Sequence, residues 1–247
     1  LKIVNNSNFP KAIYDFLCQD FYDHEEVGDS ISATTLLKPI QEIVLIRRHK
    51  EKIEIDVKDR VWSLFGSGVH AVLEKLRGET VEPIERMKVE INGHIVSGKY
   101  DLVMENKLTD YKVTSAWTIV YGSRVEEWKN QLSIYRWLYH KTYWKTLDDK
   151  ASIIAIIRDW SDKDTWITNY PQSPIIEIDI ELASLDKTEE AIKRKVDKIK
   201  KALEVTDENL PKCSDKDRWF NAKKQTYVKC EKYCIAKNYC HQVKNEK

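Results

Sequence analysis

The chain has 247 residues, 42% hydrophobic and 33% charged, and its 41 basic and 40 acidic side chains leave a formal net charge of +1. That length supports one full hydrophobic core with a small appendage, and the cancelled charge means that a polyanion would have to be met by a local basic patch. No run reaches the ~18 consecutive apolar residues of a membrane span, and the opening residues Leu1-Lys2-Ile3-Val4 lack a secretory n-region and h-region, so a cytoplasmic protein without a membrane partner is expected.

Residues 1–57 read as an N-terminal helical or irregular segment. Within it Ser32 can start a helix that runs through Ile43-Val44-Leu45-Ile46 to the basic run Arg47-Arg48-His49, read as a solvated helix end rather than a phosphate contact. From Val61, the apolar residues Leu64, Phe65, Val69, Val72, Leu73 and Leu76 recur at helical spacing up to Gly78, a C′ residue. His70 lies off that stripe, on the face of Ser63, Gly66, Glu74 and Arg77.

The alternating stretch 87–91 is closed by Asn92-Gly93, the dipeptide preferred in a two-residue type I′ turn, so 87–91 and 94–97 form an antiparallel hairpin whose second arm passes through Asp101. Glu90 reads as the solvent-facing member of this alternation, and His94, beside the turn, as exposed. After the polar turn Glu105-Asn106-Lys107, a strand from Leu108 to Thr114 places Asp110 and Lys112 on one face.

Ser123-x-x-Glu126 has the form of a capping box, and Trp128, Leu132, Tyr135 and Tyr139 then mark an amphipathic helix on which Gln131 and Tyr135 are one turn apart. Ile153–Ile157 reads as a buried central strand and Ile175–Ile180 as a half-exposed one. A last helix opens at Asp186-x-x-Glu189 and turns Ile192, Val196, Ile199 and Leu203 inward. The expected organisation is an α/β core over 58–210, a mixed β-sheet flanked by helices, followed by a Cys-rich tail over 211–247 that packs on the core.

The spacing allows cation chemistry. Asp110 and Lys112 leave one strand in one direction, and Asp101 can reach the same point from its neighbour. Magnesium accepts one or two carboxylates, several waters and a substrate phosphate. Asp101 and Asp110 are therefore candidate ligands, with His70 adding a nitrogen and the backbone carbonyl of Tyr111 completing the protein side. Lys112 would orient or deprotonate an attacking water and offset charge on a phosphate.

In this order, His70, Gly98-Lys99-Tyr100-Asp101, Asp110-Tyr111-Lys112 and Gln131-x-x-x-Tyr135 resemble the motif set of the PD-(D/E)XK nuclease superfamily, in particular its RecB-like branch, which includes phage exonucleases and CRISPR-adaptation nucleases. The resemblance spans roughly residues 60 to 140 by motif. It implies a restriction-endonuclease-like core, dependence on Mg2+ or Mn2+, and a DNA exonuclease that leaves 5′-phosphates in phage or bacterial replication, recombination or repair. It also implies that Gln131 contacts substrate with Tyr135 supporting it. A DNA-end-binding module acting through a helicase or recombinase, or a structure-specific endonuclease, is the competing expectation.

Five cysteines are distributed unevenly: Cys18 alone, then Cys213, Cys230, Cys234 and Cys240. In a chain expected to stay in a reducing compartment, such clustering favours a metal site over disulfides, and four thiolates suit zinc or a cubane iron–sulfur cluster. The grouping resembles the iron–sulfur arrangement of RecB-like exonucleases, which implies a [4Fe-4S] cluster with Zn2+ as the alternative. Cys213 is taken as the fourth ligand, and Cys18 as a buried free thiol.

Overall fold

The computed structural model describes residues 1–18, 30–76 and 85–244, with residues 74–76 described in backbone only. Gly78 and Arg77 lie outside the described residues, as does the side chain of Glu74. In chain order the elements are β1 (Lys2–Val4), α1 (Lys11–Cys18), β2 (Ile31–Ser32), α2 (Ala33–Leu36), α3 (Ile40–His49), β3 (Glu54–Asp56) and α4 (Val61–Leu76). There follow β4 (Met87–Ile91), β5 (His94–Gly98), β6 (Leu102–Met104), β7 (Lys107–Thr114), α5 (Ala116–Val120), α6 (Val125–Tyr143), β8 (Lys150–Ile157) and β9 (Ile175–Glu181). The last are α7 (Leu185–Leu203), α8 (Asp215–Arg218), β10 (Phe220–Asn221), β11 (Thr226–Tyr227), α9 (Val228–Lys232) and α10 (His241–Lys244).

The chain divides into two compact units, one of Leu1–Asp20, Lys38–Val61 and Arg194–Lys247, the other of Phe21–Leu37 and Trp62–Lys193. This grouping cuts across the boundaries at 57/58 and 210/211 expected from sequence. The polar motif residues all fall in the second unit and the four tail cysteines in the first.

In the second unit the strands form two sheets, in the orders β2-β5-β4 and β6-β7-β8-β9. The fold is mixed α/β, and both sheets are mixed: β2 runs parallel to β5 and β7 to β8, while the β4–β5, β6–β7 and β8–β9 pairs are antiparallel. Asn92 and Gly93 at φ 51° and 78° make the left-handed turn that joins β4 to β5, and Glu105 and Asn106, at 49° and 65°, join β6 to β7 in the same way. Inner position makes β8 apolar on both faces, with Ile153 and Ala155 fully buried, whereas the edge strand β9 alternates exposed residues with the inward Ile176, Ile178 and Ile180. Helix α6 buries Trp128, Leu132, Trp137 and Leu138.

Several elements differ from expectation. The helix begun at Ser32 does accept the Thr35 amide as its N-cap, but it stops after Leu36 and restarts behind Pro39, whose ring cannot continue the helix begun before it. Helix α6 starts at Val125 behind Arg124 with no side-chain cap, so Ser123-x-x-Glu126 does not close a capping box. His94 is buried, because strand parity puts it on the core-facing side with Val96 and Gly98. Glu90 is exposed, in the sheet without Asp110. On α4 the apolar stripe is not buried: Phe65 and Val72 are 51% and 58% exposed.

The first unit packs Val44 and Leu45 of α3 against Ala202, Leu210, Ala236 and Cys240. Arg48 is not a freely solvated helix end. It binds the carbonyls of Ala202, Leu203 and Val205, satisfying the open C-terminus of α7, and pairs with Asp207 at 2.7 Å, while His49 Nε2 lies 2.6 Å from the other Asp207 oxygen.

Candidate active site

Strand β7 carries the candidate residues Asp110 and Lys112. Its parity aims Asp110 and Lys112 one way, and Lys112 Nζ lies 2.6 Å from Asp110 Oδ2. The Asp110 carboxylate is almost fully buried, and Lys112 is its charged neighbour on the strand. Burial pushes the Asp110 carboxyl up to about 6; the Lys112 ammonium pulls it down and the Asp101 charge adds to the rise.

Asp101 is not on the hairpin arm. β5 ends at Gly98, and Asp101 sits in the bend just before β6. The β6–β7 register pairs Leu102 with Thr109, and one step further along it Asp101 faces Asp110. Asp101 Oδ2 accepts the Tyr111 amide at 2.8 Å and Oδ1 lies 3.2 Å from His70 Nδ1. Burial opposes ionisation of Asp101, but His70 and the Tyr111 amide outweigh it and hold the carboxyl below the usual range. His70, raised chiefly by its hydrogen bond to Asp101, meets the Tyr111 ring edge-on at 6.3 Å.

Helix α6 carries the remaining motif residues, Gln131 and Tyr135. Gln131 Nε2 donates to the Tyr135 hydroxyl at 2.9 Å, and both residues are buried. Tyr135 also explains the glycine of the Gly98-x-x-Asp101 run: a Cβ on Gly98 would stand 2.8 Å from Leu138 Cδ1 and 2.9 Å from Tyr135 Cε1. A side chain at this position would push against α6, so glycine suits the close packing of β5 on that helix.

His70, Asp101, Asp110, Lys112 and the Tyr111 backbone are thus gathered by α4, the bend before β6, and β7. Among the described residues no three His, Cys, Asp or Glu side chains form a preset metal cage. A cation here would rest on the two facing carboxylates with water or substrate oxygens, a set magnesium accepts. The mutual repulsion of the buried Asp110 and the half-buried Asp101 carboxylates fits such a cation.

The tail cysteines also come together. Cys213, Cys230, Cys234 and Cys240 line one pocket with Gln41, Glu42, Arg218 and Lys229. Cys18 does not line it and is only half-buried. Cys213 and Cys240 both donate to Gln41 Oε1, at 3.4 and 3.5 Å, and Arg218 Nε donates to Cys230 Sγ at 3.5 Å. Burial pushes the Cys213 and Cys234 thiols up to about 12 and about 11. The four thiols share a pocket, though not in the tight geometry of a closed metal site. Sequence spacing found these cysteines but not Gln41, Glu42 or Arg218, which reach the pocket through tertiary packing.

No family model and no curated protein matches the sequence. A crystal structure of SSO0001 superposes over 94% of this chain and 93% of that one, with a TM-score of 0.52 and 18% identity. The two share a fold. An alkaline exonuclease from Laribacter hongkongensis, LHK-Exo, aligns over 71% of this chain and 90% of its own with a TM-score of 0.40 and 14% identity. Among the described residues no helix is long and apolar enough to cross a membrane.

Proposed function

We propose that the chain is a divalent-cation-dependent nuclease acting on DNA from its ends. The observation that carries the reading is the buried Asp110, paired with Lys112 on β7 and facing the Asp101–His70 pair across the β6–β7 register. Asp110 and Asp101 would hold Mg2+ or Mn2+, with His70 and the Tyr111 carbonyl as further donors, and the bound ion would supply Lewis-acid stabilisation of phosphate charge and a more acidic water. Lys112 stands where it can orient that water and offset the developing negative charge. Gln131, fixed by Tyr135, would position the strand, and a 5′-phosphate product is the expected outcome.

For the tail we propose a [4Fe-4S] cluster held by Cys213, Cys230, Cys234 and Cys240, with zinc as the alternative occupant of the same thiols. The shared pocket supports this, and Arg218 and Lys229 would offset thiolate charge. Broad visible absorption together with iron in anaerobically purified protein would bear it out, whereas zinc in a colourless protein would replace the cluster, and absence of both metals would reject the site. The nuclease reading is tested by digestion of end-labelled linear and closed circular DNA with Mg2+, Mn2+ or EDTA. Binding of ends without cleavage under either cation would instead favour an assembly role beside a helicase or recombinase.

A further inference from the structure

Helix α4 turns large apolar side chains outward. Trp62 and Phe65 are 62% and 51% exposed, with ring centroids 5.8 Å apart. Single exposed apolar residues are ordinary, but a contiguous aromatic patch on a soluble surface marks a binding surface. The guanidinium of Arg158 lies 4.8 Å from the centre of the Trp62 ring. Arg158 directly follows β8, and its amide donates to the Thr114 carbonyl at the end of β7. Trp62 therefore lies toward the end of the strand that carries Lys112, two residues before Thr114.

A second exposed pair is built beside the same strand end. Helix α5 follows β7 directly and presents Trp117, 43% exposed, stacked with Tyr121, 73% exposed, at 6.1 Å and 24°. Its start is fixed by Asp159, which accepts the Ser115 hydroxyl at 2.6 Å and the Ala116 amide at 2.7 Å. Aromatic rings on two elements, with a cation over one of them, thus flank the strand end beyond Lys112. Trp62 precedes His70 by eight residues on one helix, about 12 Å of rise.

We infer that Trp62, Phe65 and Arg158 form a stacking platform for single-stranded DNA leading to the candidate active site, with Trp117 and Tyr121 extending it. A single strand offers free base faces and a phosphate chain, and an exposed ring flanked by a guanidinium answers both. A duplex hides its base faces except at its ends. The charge of Arg158 favours a polyanion over an apolar partner. The choice of DNA as the polymer rests on the nuclease reading, while the platform itself rests on the exposed rings.

The test is binding of fluorescent oligo-dT and of a matched duplex to the full chain in EDTA, so that nothing is hydrolysed, followed by anisotropy. Trp62→Ala and Arg158→Ala should each weaken oligo-dT binding by about five- to a hundred-fold, with a smaller change for the duplex. Trp62→Phe, which keeps a stacking ring, should retain most of the affinity. Unchanged oligo-dT affinity in both alanine variants overturns the platform, as does equal loss on single strand and duplex. A fall in molar mass by light scattering in Trp62→Ala, with affinity per chain unaltered, would assign the rings to self-association instead. If wild type binds oligo-dT through Trp62 yet cleaves no DNA with Mg2+ or Mn2+, the nuclease reading fails and the platform stands.

Discussion

Asp110 is held in a place that disfavours its own charge. Its carboxyl is raised to about 6 against an ordinary 3.8, so folding favours the protonated form and the ionised form burdens the native state at neutral pH. The sign is opposite to that of a stabilising carboxylate: the penalty is full above the folded value and is relieved as pH falls toward the unfolded one. Asp110→Asn should therefore abolish cleavage and yet stabilise the EDTA-treated protein at pH 8, by about 1–3 kcal/mol. The gain should shrink toward pH 4, as denaturant unfolding at the two pH values would show. Equal or lower stability of the variant at pH 8 would mean that the carboxylate is not burdened. Gly98→Ala tests the second constraint at this scale. Its methyl group would overlap Leu138 and Tyr135, so a loss of about 1–3 kcal/mol is expected in thermal or denaturant unfolding, with wild-type stability contradicting the close approach.

At the scale of elements, α6 and the first part of α7 are joined by a polar cluster. Glu189 meets Trp137 Nε1 at 3.1 Å, Lys141 Nζ at 2.8 Å and Lys193 Nζ at 2.7 Å. The Lys141 contact leads the three that bring its carboxyl down to about 2. A depressed carboxylate contributes stability above its unfolded value near 4.5, and that contribution is lost as pH falls toward 2. Glu189→Gln should cost on the order of 1 kcal/mol at pH 7, a value kept small by partial exposure to water, and less at pH 3, where the carboxylate's contribution is fading; a pH-independent cost in thermal unfolding would show a packing effect instead. Much of this level was legible in the sequence. Asn92-Gly93 gave its turn, the apolar run gave β8, and period-2 alternation gave the shared face of Asp110 and Lys112. The errors have a common cause. Pro39, the unused Ser123 box and the inward His94 were settled by backbone restriction and by packing partners remote in sequence, and the helical period of α4 showed which face was apolar but not that it stays exposed.

For the whole molecule, sequence order anticipated that His70, Asp101, Asp110 and Lys112 come together but not how the chain groups into units. The motif residues converge because β6 and β7 bring Asp101 opposite Asp110 while α4 supplies His70 from the side. The unit boundaries were not legible, since α3, the second part of α7 and the tail share one core cluster, with Val44, Ala202 and Ala236 among its members, that local periodicity cannot reveal. Shared fold with SSO0001 over nearly the full length places these elements in one known architecture without fixing the reaction. The proposed reaction rests on the side chains that β7 presents. Wild-type protein incubated with end-labelled linear DNA should release short products in Mg2+ or Mn2+ and none in EDTA, and Lys112→Ala and Asp110→Asn should each remove that activity while retaining a folded circular-dichroism spectrum. Cation-dependent cleavage that persists undiminished in either variant would contradict the assignment of the site.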